Sequence, residues 1–219
     1  FPTRRSSDLM REKSIPLFAL ESREPITNFD FVTFTLQYEL SYTNILNILD
    51  LANIPILKEE RTLEDPFIMV GGPCAYNSEP LADFVDVVIL GEGEEVNLEV
   101  VNEYKEWKKN KTTREDFLYK ISSIEGVYIP SFYDVKYNED GTVQSVTPNR
   151  EGITKNPTKR IIKDVETVDY PEKLIVPYID TVHDRIVLEL FRGCTRGCRF
   201  CQAGMIYRPI REKSVKRLK

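Results

Sequence analysis

The sequence predicts an α/β fold, on three observations. Short runs rich in β-branched and aromatic residues alternate with segments whose apolar residues recur at three- and four-residue spacing. Two of the runs stop at glycine, in Gly71-Gly72 and in Gly91-Glu92-Gly93, as strands do where the backbone turns sharply or approaches a ligand. The 219 residues are 41% hydrophobic, 30% charged and 11% aromatic, an ordinary globular composition. Alternation of this kind predicts a parallel sheet with helical connections.

The elements follow in order. Phe1 to Leu9 carry no period and lack an initial Met. They read as a non-native tail, similar to a translated sequencing adapter, with a disordered native tail as the alternative. Ile15 to Leu20 is a short apolar segment, and Phe29 to Leu36 suits a buried strand. A helix should follow, capped by Ser41, with Tyr42, Ile45, Leu46 and Leu49 on one face and an end at Asn53. Phe67 to Val70 is the next strand, Pro80 to Phe84 a short helix, and Val85 to Leu90 a third strand. A longer helix then carries Val96, Val100, Tyr104 and Trp107 as core contacts and ends at the charged run Lys108 to Lys111.

Beyond Thr112 the pattern changes. Thr113 to Asp116 can cap a short helix, Gly126 to Tyr133 reads as a strand, and Asp134 to Val146 as a hairpin around Asn138-Glu-Asp-Gly141. Residues 147–180, with Pro148, Pro157, Pro171 and Pro177, read as an extended connector. Ile186 to Phe191 is a strand that runs directly into Arg192-Gly193-Cys194. The expected organisation is a tail over 1–9, a partial α/β domain over 10–111, a β-rich connector with a short helix over 112–182, and the start of a further domain over 183–219.

Charge and apolar content exclude several roles. Thirty-five acidic against thirty basic residues leave a net charge of −5, which does not suit a nucleic-acid backbone or an anionic membrane as a partner. The closing basic residues Arg208, Arg211, Lys213, Lys216, Arg217 and Lys219 read as a solvated helix face. No apolar run approaches the roughly 20 residues of a membrane helix, and the chain reads as cytoplasmic. Of four cysteines, Cys74 stands alone while Cys194, Cys198 and Cys201 fall within eight residues. That spacing indicates metal binding rather than a disulfide framework.

Cys194-x3-Cys198-x2-Cys201 lies on a glycine-bearing loop after a strand. Soft thiolates select zinc or iron–sulfur clusters, and Arg196 and Arg199 favour the thiolate forms. With Phe200 before the last cysteine, the segment resembles the cluster motif of the radical S-adenosylmethionine superfamily. Val70-Gly-Gly-Pro-Cys-Ala75, Gly91-Glu-Gly-Glu-Glu95 and the run Phe34 to Asn44 are similar to the group within it that has an N-terminal cobalamin-binding-like domain. The resemblance covers nearly everything after Met10.

The resemblance implies a partial flavodoxin-like sheet, then the first strand and cluster loop of a (β/α)8 barrel. It implies that Cys194, Cys198 and Cys201 hold a 4Fe-4S cluster, with Phe200 beside the adenine of S-adenosylmethionine. The implied reaction is reductive cleavage of S-adenosylmethionine to a 5'-deoxyadenosyl radical, with an electron donor such as flavodoxin or ferredoxin and an open substrate. Gly71, Gly72, Gly91 and Gly93 would border a cobalamin or its vestige, or simply make strand-end turns. The cobalamin-ligating Asp-x-His-x-x-Gly pattern is absent, and the single histidine, His183, reads as a connector residue. The Gly-Gly-Glu segment that would hold the amino group of S-adenosylmethionine is absent too. A barrel needs about 200 residues or more, so the chain reads as an inactive fragment of an enzyme. The other reading of the cysteines is a zinc-binding or electron-transfer module, and Cys74 reads as a small buried residue.

Overall fold

The computed structural model describes residues 4–110, 112–170, 173, 180, 182, 185 and 187–219. Pro171, Pro177, His183 and Ile186, which carry expectations above, lie outside the described residues. The chain divides into two units, Phe1–Arg160 and Ile161–Lys219. The helix, hairpin and much of the connector expected after residue 112 thus belong with the first α/β layers.

In the first unit, β1 (Phe31–Thr35), β2 (Phe67–Gly71), β3 (Val87–Ile89) and β4 (Val127–Tyr128) lie side by side in that order. β1 and β2 are parallel, with Phe31 opposite Phe67 and Thr35 opposite Gly71, and β3 continues parallel to β2. β4 is antiparallel, with Ile89 opposite Val127, so the sheet is mixed rather than wholly parallel. Two helices in succession explain the reversal: α3 (Gly93–Asn110) and α4 (Arg114–Ile121) separate β3 from β4. One helix carries the chain back along the sheet, the second returns it, and the next strand must run the opposite way.

Strand alternation buries both faces. Val32, Ile68, Val70 and Val88 pack on one side with Ile45 and Leu49 of α2 (Tyr42–Leu51). Phe67, Met69, Val87 and Ile89 pack on the other with Val96, Val100 and Tyr104 of α3 and Phe117 of α4. Each such apolar side chain contributes on the order of 1.5–3 kcal/mol when fully buried. β1 is less covered than expected, because Thr33 and Thr35 are exposed. The short helix expected at Pro80–Phe84 is instead a 3₁₀ turn, Glu79–Leu81, with Pro80 at its second position, and it follows another 3₁₀ turn, Pro73–Asn77, that Pro73 begins.

Local signals explain the helix ends. Asn53 adopts φ 56° after α2, its N–H donates to Asp50 O at 3.1 Å, and Ile54 N–H reaches Leu49 O at 3.0 Å. This is the paired closure that a left-handed residue permits. Ser41 does not cap α2 with its hydroxyl, which donates to Tyr38 O at 2.7 Å instead. At α4 the capping box forms: Asp116 N–H donates to Thr113 Oγ1 at 3.0 Å and Thr113 N–H to Asp116 Oδ2 at 3.0 Å. Hydrogen bonds from the Thr113 and Thr112 side chains and from Thr113 N–H hold the Asp116 carboxyl below its ordinary pKa. Its support for the cap is therefore present at neutral pH and lost as pH falls through that lowered value. Thr113→Ala, which removes the hydroxyl acceptor, is expected to destabilise the unit by about 1 kcal/mol. Urea denaturation followed by Trp107, the single tryptophan, measures this.

A buried polar network closes the N-terminal edge of the sheet. The guanidinium of Arg61, with 0% side-chain exposure, lies 3.0 Å from Asp86 Oδ2 and donates to Pro55 O, Ile56 O and Phe84 O. Asp86 Oδ2 also accepts from Ile68 N–H at 2.7 Å and lies 3.2 Å from Arg114 Nη2. Elsewhere in this unit, Arg4–Glu12 forms α1, where the sequence suggests a structureless tail, and Arg11 bonds Asp50 and Asn47. The hairpin pairs β5 (Tyr133–Tyr137) with β6 (Val143–Pro148), as its turn residues imply.

In the second unit, β7 (Phe191–Arg192) and β8 (Arg211–Glu212) form an antiparallel ribbon, followed by the short helix α6 (Val215–Leu218). The described strand is thus shorter than expected, and its partner runs antiparallel. The closing basic residues are not simply a solvated face. Arg211 Nη1 donates to Ile162 O at 2.7 Å and Arg217 Nη2 to Val168 O at 2.9 Å.

Candidate functional site

The cysteine loop is the arc between β7 and β8. Gly193 opens it at φ +105°, where a Cβ would stand 2.8 Å from both Ile210 Cα and Pro209 O, so only glycine lets the two strand ends approach this closely. Residues 193–202 form no helix or strand before the one-turn helix α5 (Ala203–Ile206). Cys194 and Cys201 are partly buried, Cys198 is exposed, and all are free thiols. Arg196 N–H points to Cys194 Sγ at 3.4 Å, and Cys201 N–H donates to Cys198 O at 3.1 Å. Phe200 is 93% exposed, and Arg196 and Arg199 are exposed beside it.

The donor set fits a soft metal centre: three thiols on one short loop, each reachable from solvent, with no disulfide competing for them. The loop stands open. Among the described residues no three His, Cys, Asp or Glu side chains are gathered closely enough to hold one metal ion. Such a loop closes when the metal arrives, because ligand assembly and local folding are one equilibrium. Cys74 is a core residue of the first unit, 7% exposed. Its burial, with Glu39 beside the thiol, pushes its pKa up, which disfavours the thiolate a metal needs.

In the first unit the four singled-out glycines meet at one place. Gly71, Gly72, Gly91 and Gly93 all line a cleft of about 290 Å³ at the C-terminal ends of β1, β2 and β3. Thr33, Thr35 and Asn97 supply its polar side chains. This is where parallel α/β sheets place ligands. Gly91, however, owes its identity to the chain's own packing. It has φ +102°, and a Cβ there would stand 2.1 Å from the carbonyl oxygen of Arg160. Arg160 N–H donates to Leu90 O at 2.8 Å, Glu92 N–H donates to Arg160 O at 3.1 Å, and the guanidinium pairs with Glu95 and Glu99. The connector therefore packs directly against Gly91, one of the residues lining the cleft.

The cleft's volume of about 290 Å³ lies just below the roughly 300–1,000 Å³ of ordinary small-molecule sites, and its lining offers a corrin no imidazole.

The family described as "Radical SAM proteins, N-terminal" matches residues 1–130, more than half of the 219. The chain belongs to the radical SAM proteins. A second likeness of this radical SAM chain extends across both units. An uncharacterized protein of Methanocaldococcus jannaschii is 32% identical over 209 residues, covering 94% of this chain and 37% of that protein. The chain thus spans little more than a third of that relative's length. No solved structure matches it.

Sequence reasoning missed three charged residues. Asp86 sits in an apolar run and Arg61 lies 25 residues before it, so only folding pairs them. Glu189, described below, sits in Ile186-Val-Leu-Glu-Leu-Phe191. Its one local signal is an arginine three residues on.

Proposed function

We propose that Cys194, Cys198 and Cys201 hold a 4Fe-4S cluster in the intact protein and leave its fourth iron to S-adenosylmethionine. The observation that carries this reading is the thiol set, three free cysteines on one open loop while the remaining one is buried in the other unit's core. A structural zinc site takes four protein ligands, and this loop supplies three. Membership of the radical SAM proteins supports the same reading.

The chemistry that such a cluster supplies when bound is one-electron reductive cleavage of S-adenosylmethionine to methionine and a 5'-deoxyadenosyl radical. The chain's residues bind and orient. The three thiolates carry negative charge, and the exposed Arg196 and Arg199 offset part of it. Phe200 presents an open ring, which suits stacking against the adenine. A flavodoxin or ferredoxin is the proposed electron source, and exposure of Cys198 leaves the loop open to it. No helix among the described residues is long and apolar enough to cross a membrane.

Anaerobic reconstitution of the intact protein tests the ligand set. Wild type and Cys74→Ala should each take up about four irons per chain, and Cys198→Ala should lose most of them. Zinc in place of iron, or an iron content that Cys198→Ala leaves unchanged, would overturn the reading.

A further inference from the structure

A side-chain cluster outside the cysteine pattern ties the loop at its base. Glu189, two residues before β7, accepts from Arg192 Nε at 2.8 Å and Nη2 at 3.2 Å, and from Lys213 Nζ at 2.9 Å. Arg192 is the last residue before the loop, and Lys213 the first after β8. One carboxylate therefore joins the strand from which the loop departs to the strand by which it returns. Lys213 N–H adds a bond to Leu190 O at 2.9 Å. The two cations are largely withdrawn from water, at 14% and 6% side-chain exposure, so the carboxylate they share is costly to remove. Gly204 backs the arc, with room for a Cβ only 3.1 Å from Arg196 O.

The cysteine-bearing part of the arc, residues 193–202, carries no helix or strand. Three thiolates converge on one centre only if the arc closes, and closure is less costly when its ends are already fixed. We propose that Glu189 is a positioning residue for the cluster site, holding the two ends of the cysteine arc through Arg192 and Lys213 so that the thiolates can converge. This rests on the reading of Cys194, Cys198 and Cys201 as cluster ligands. Glu189 touches none of the reacting groups and acts through the geometry of the loop. Its carboxyl is held below the ordinary value by Arg192, against its partial burial, and by Lys213, consistent with a carboxylate that stays charged at neutral pH.

The test compares wild type, Glu189→Gln and Glu189→Asp in the intact, reconstituted protein. The readouts are the rate at which a ferrous chelator strips iron, the EPR line shape of the reduced cluster, and circular dichroism of the fold. Glu189→Gln keeps the size and removes the charge. It should lose iron at least about tenfold faster than wild type, with a broadened EPR signal and unchanged circular dichroism. Glu189→Asp should fall between the two. Stripping at the wild-type rate in Glu189→Gln would overturn the inference and leave the cysteine assignment standing. Wild type that takes up no iron would overturn the cysteine assignment and this inference with it. Should Glu189→Gln fail to fold, Glu189→Asp decides: faster stripping supports the proposal and the wild-type rate overturns it.

Discussion

Asp86→Ala is expected to lower the stability of the first unit by about 3–5 kcal/mol, the range for breaking a buried ion pair by removing one partner. Arg61 has no side-chain exposure, and Asp86 Oδ2 lies 3.0 Å from its guanidinium and 3.2 Å from that of Arg114. Burial already pulls the Arg61 pKa below its ordinary value, and Asp86 is the group that opposes this. Removing the carboxylate also orphans Ile68 N–H, the second residue of β2. Domains of this kind have about 5–15 kcal/mol in total, so the loss is a large share of what is present. Trp107 stands 5.8 Å from Phe67 and 5.5 Å from Phe117 between ring centroids, which makes its fluorescence a direct report on this unit. In urea, where slopes are about 1–3 kcal/mol/M, the midpoint should fall by roughly 2 M. A shift of a few tenths of a molar would show that the three charged groups do not depend on one another.

The second large effect is expected at Gly91. Gly91→Ala places a Cβ 2.1 Å from Arg160 O and 2.8 Å from Arg160 N, both backbone atoms that no rotamer can move aside. Either the connector leaves the edge of β3 or Gly91 abandons its left-handed conformation. Two backbone hydrogen bonds, at about 0.5–1.5 kcal/mol each, and about 1–3 kcal/mol of strain are at stake, about 2–6 kcal/mol together. Gly71→Ala is the matched control, since its Cβ would meet Ile89 Cβ at an ordinary 3.6 Å although it lines the same cleft. Hydrogen exchange should show the amides of Arg160 and Glu92 losing protection in Gly91→Ala and keeping it in Gly71→Ala. Equal effects at the two positions would mean that the connector is not what selects glycine at 91.

The elements legible in the sequence are those whose cause is local. The close of α2 lies in Asn53, whose short side chain tolerates φ 56°. The start of α4 lies in the Thr113 and Asp116 pair three residues apart, and the hairpin turn in Asn138 to Gly141, where Gly141 takes φ +82°. The helical spacing of Val96, Val100 and Tyr104 names the buried face of α3. What the sequence conceals depends on contacts distant along the chain. The antiparallel sense of β4 follows from the number of helices before it. The Gly91 to Arg160 bridge joins residues that no local pattern relates. The cysteine loop was legible as a donor set through its spacing alone. Its anchorage by Glu189 and Lys213 was not, because the two lie 24 residues apart and meet only when β7 pairs with β8. Arg4–Glu12 has only Leu9 and Met10 as apolar residues, yet it folds as a helix whose Arg11 pairs with Asp50.

The measurement that bears most directly on the central claim is the EPR spectrum of the reduced, reconstituted intact protein with and without S-adenosylmethionine. Three cysteine ligands leave one iron of a four-iron cluster open, and direct coordination there alters the spin centre. The account predicts a 4Fe-4S signal that shifts on adding S-adenosylmethionine and is absent in Cys198→Ala. A four-iron signal that is indifferent to S-adenosylmethionine would mean a fourth protein ligand and an electron-carrying centre, contradicting the assignment of this loop.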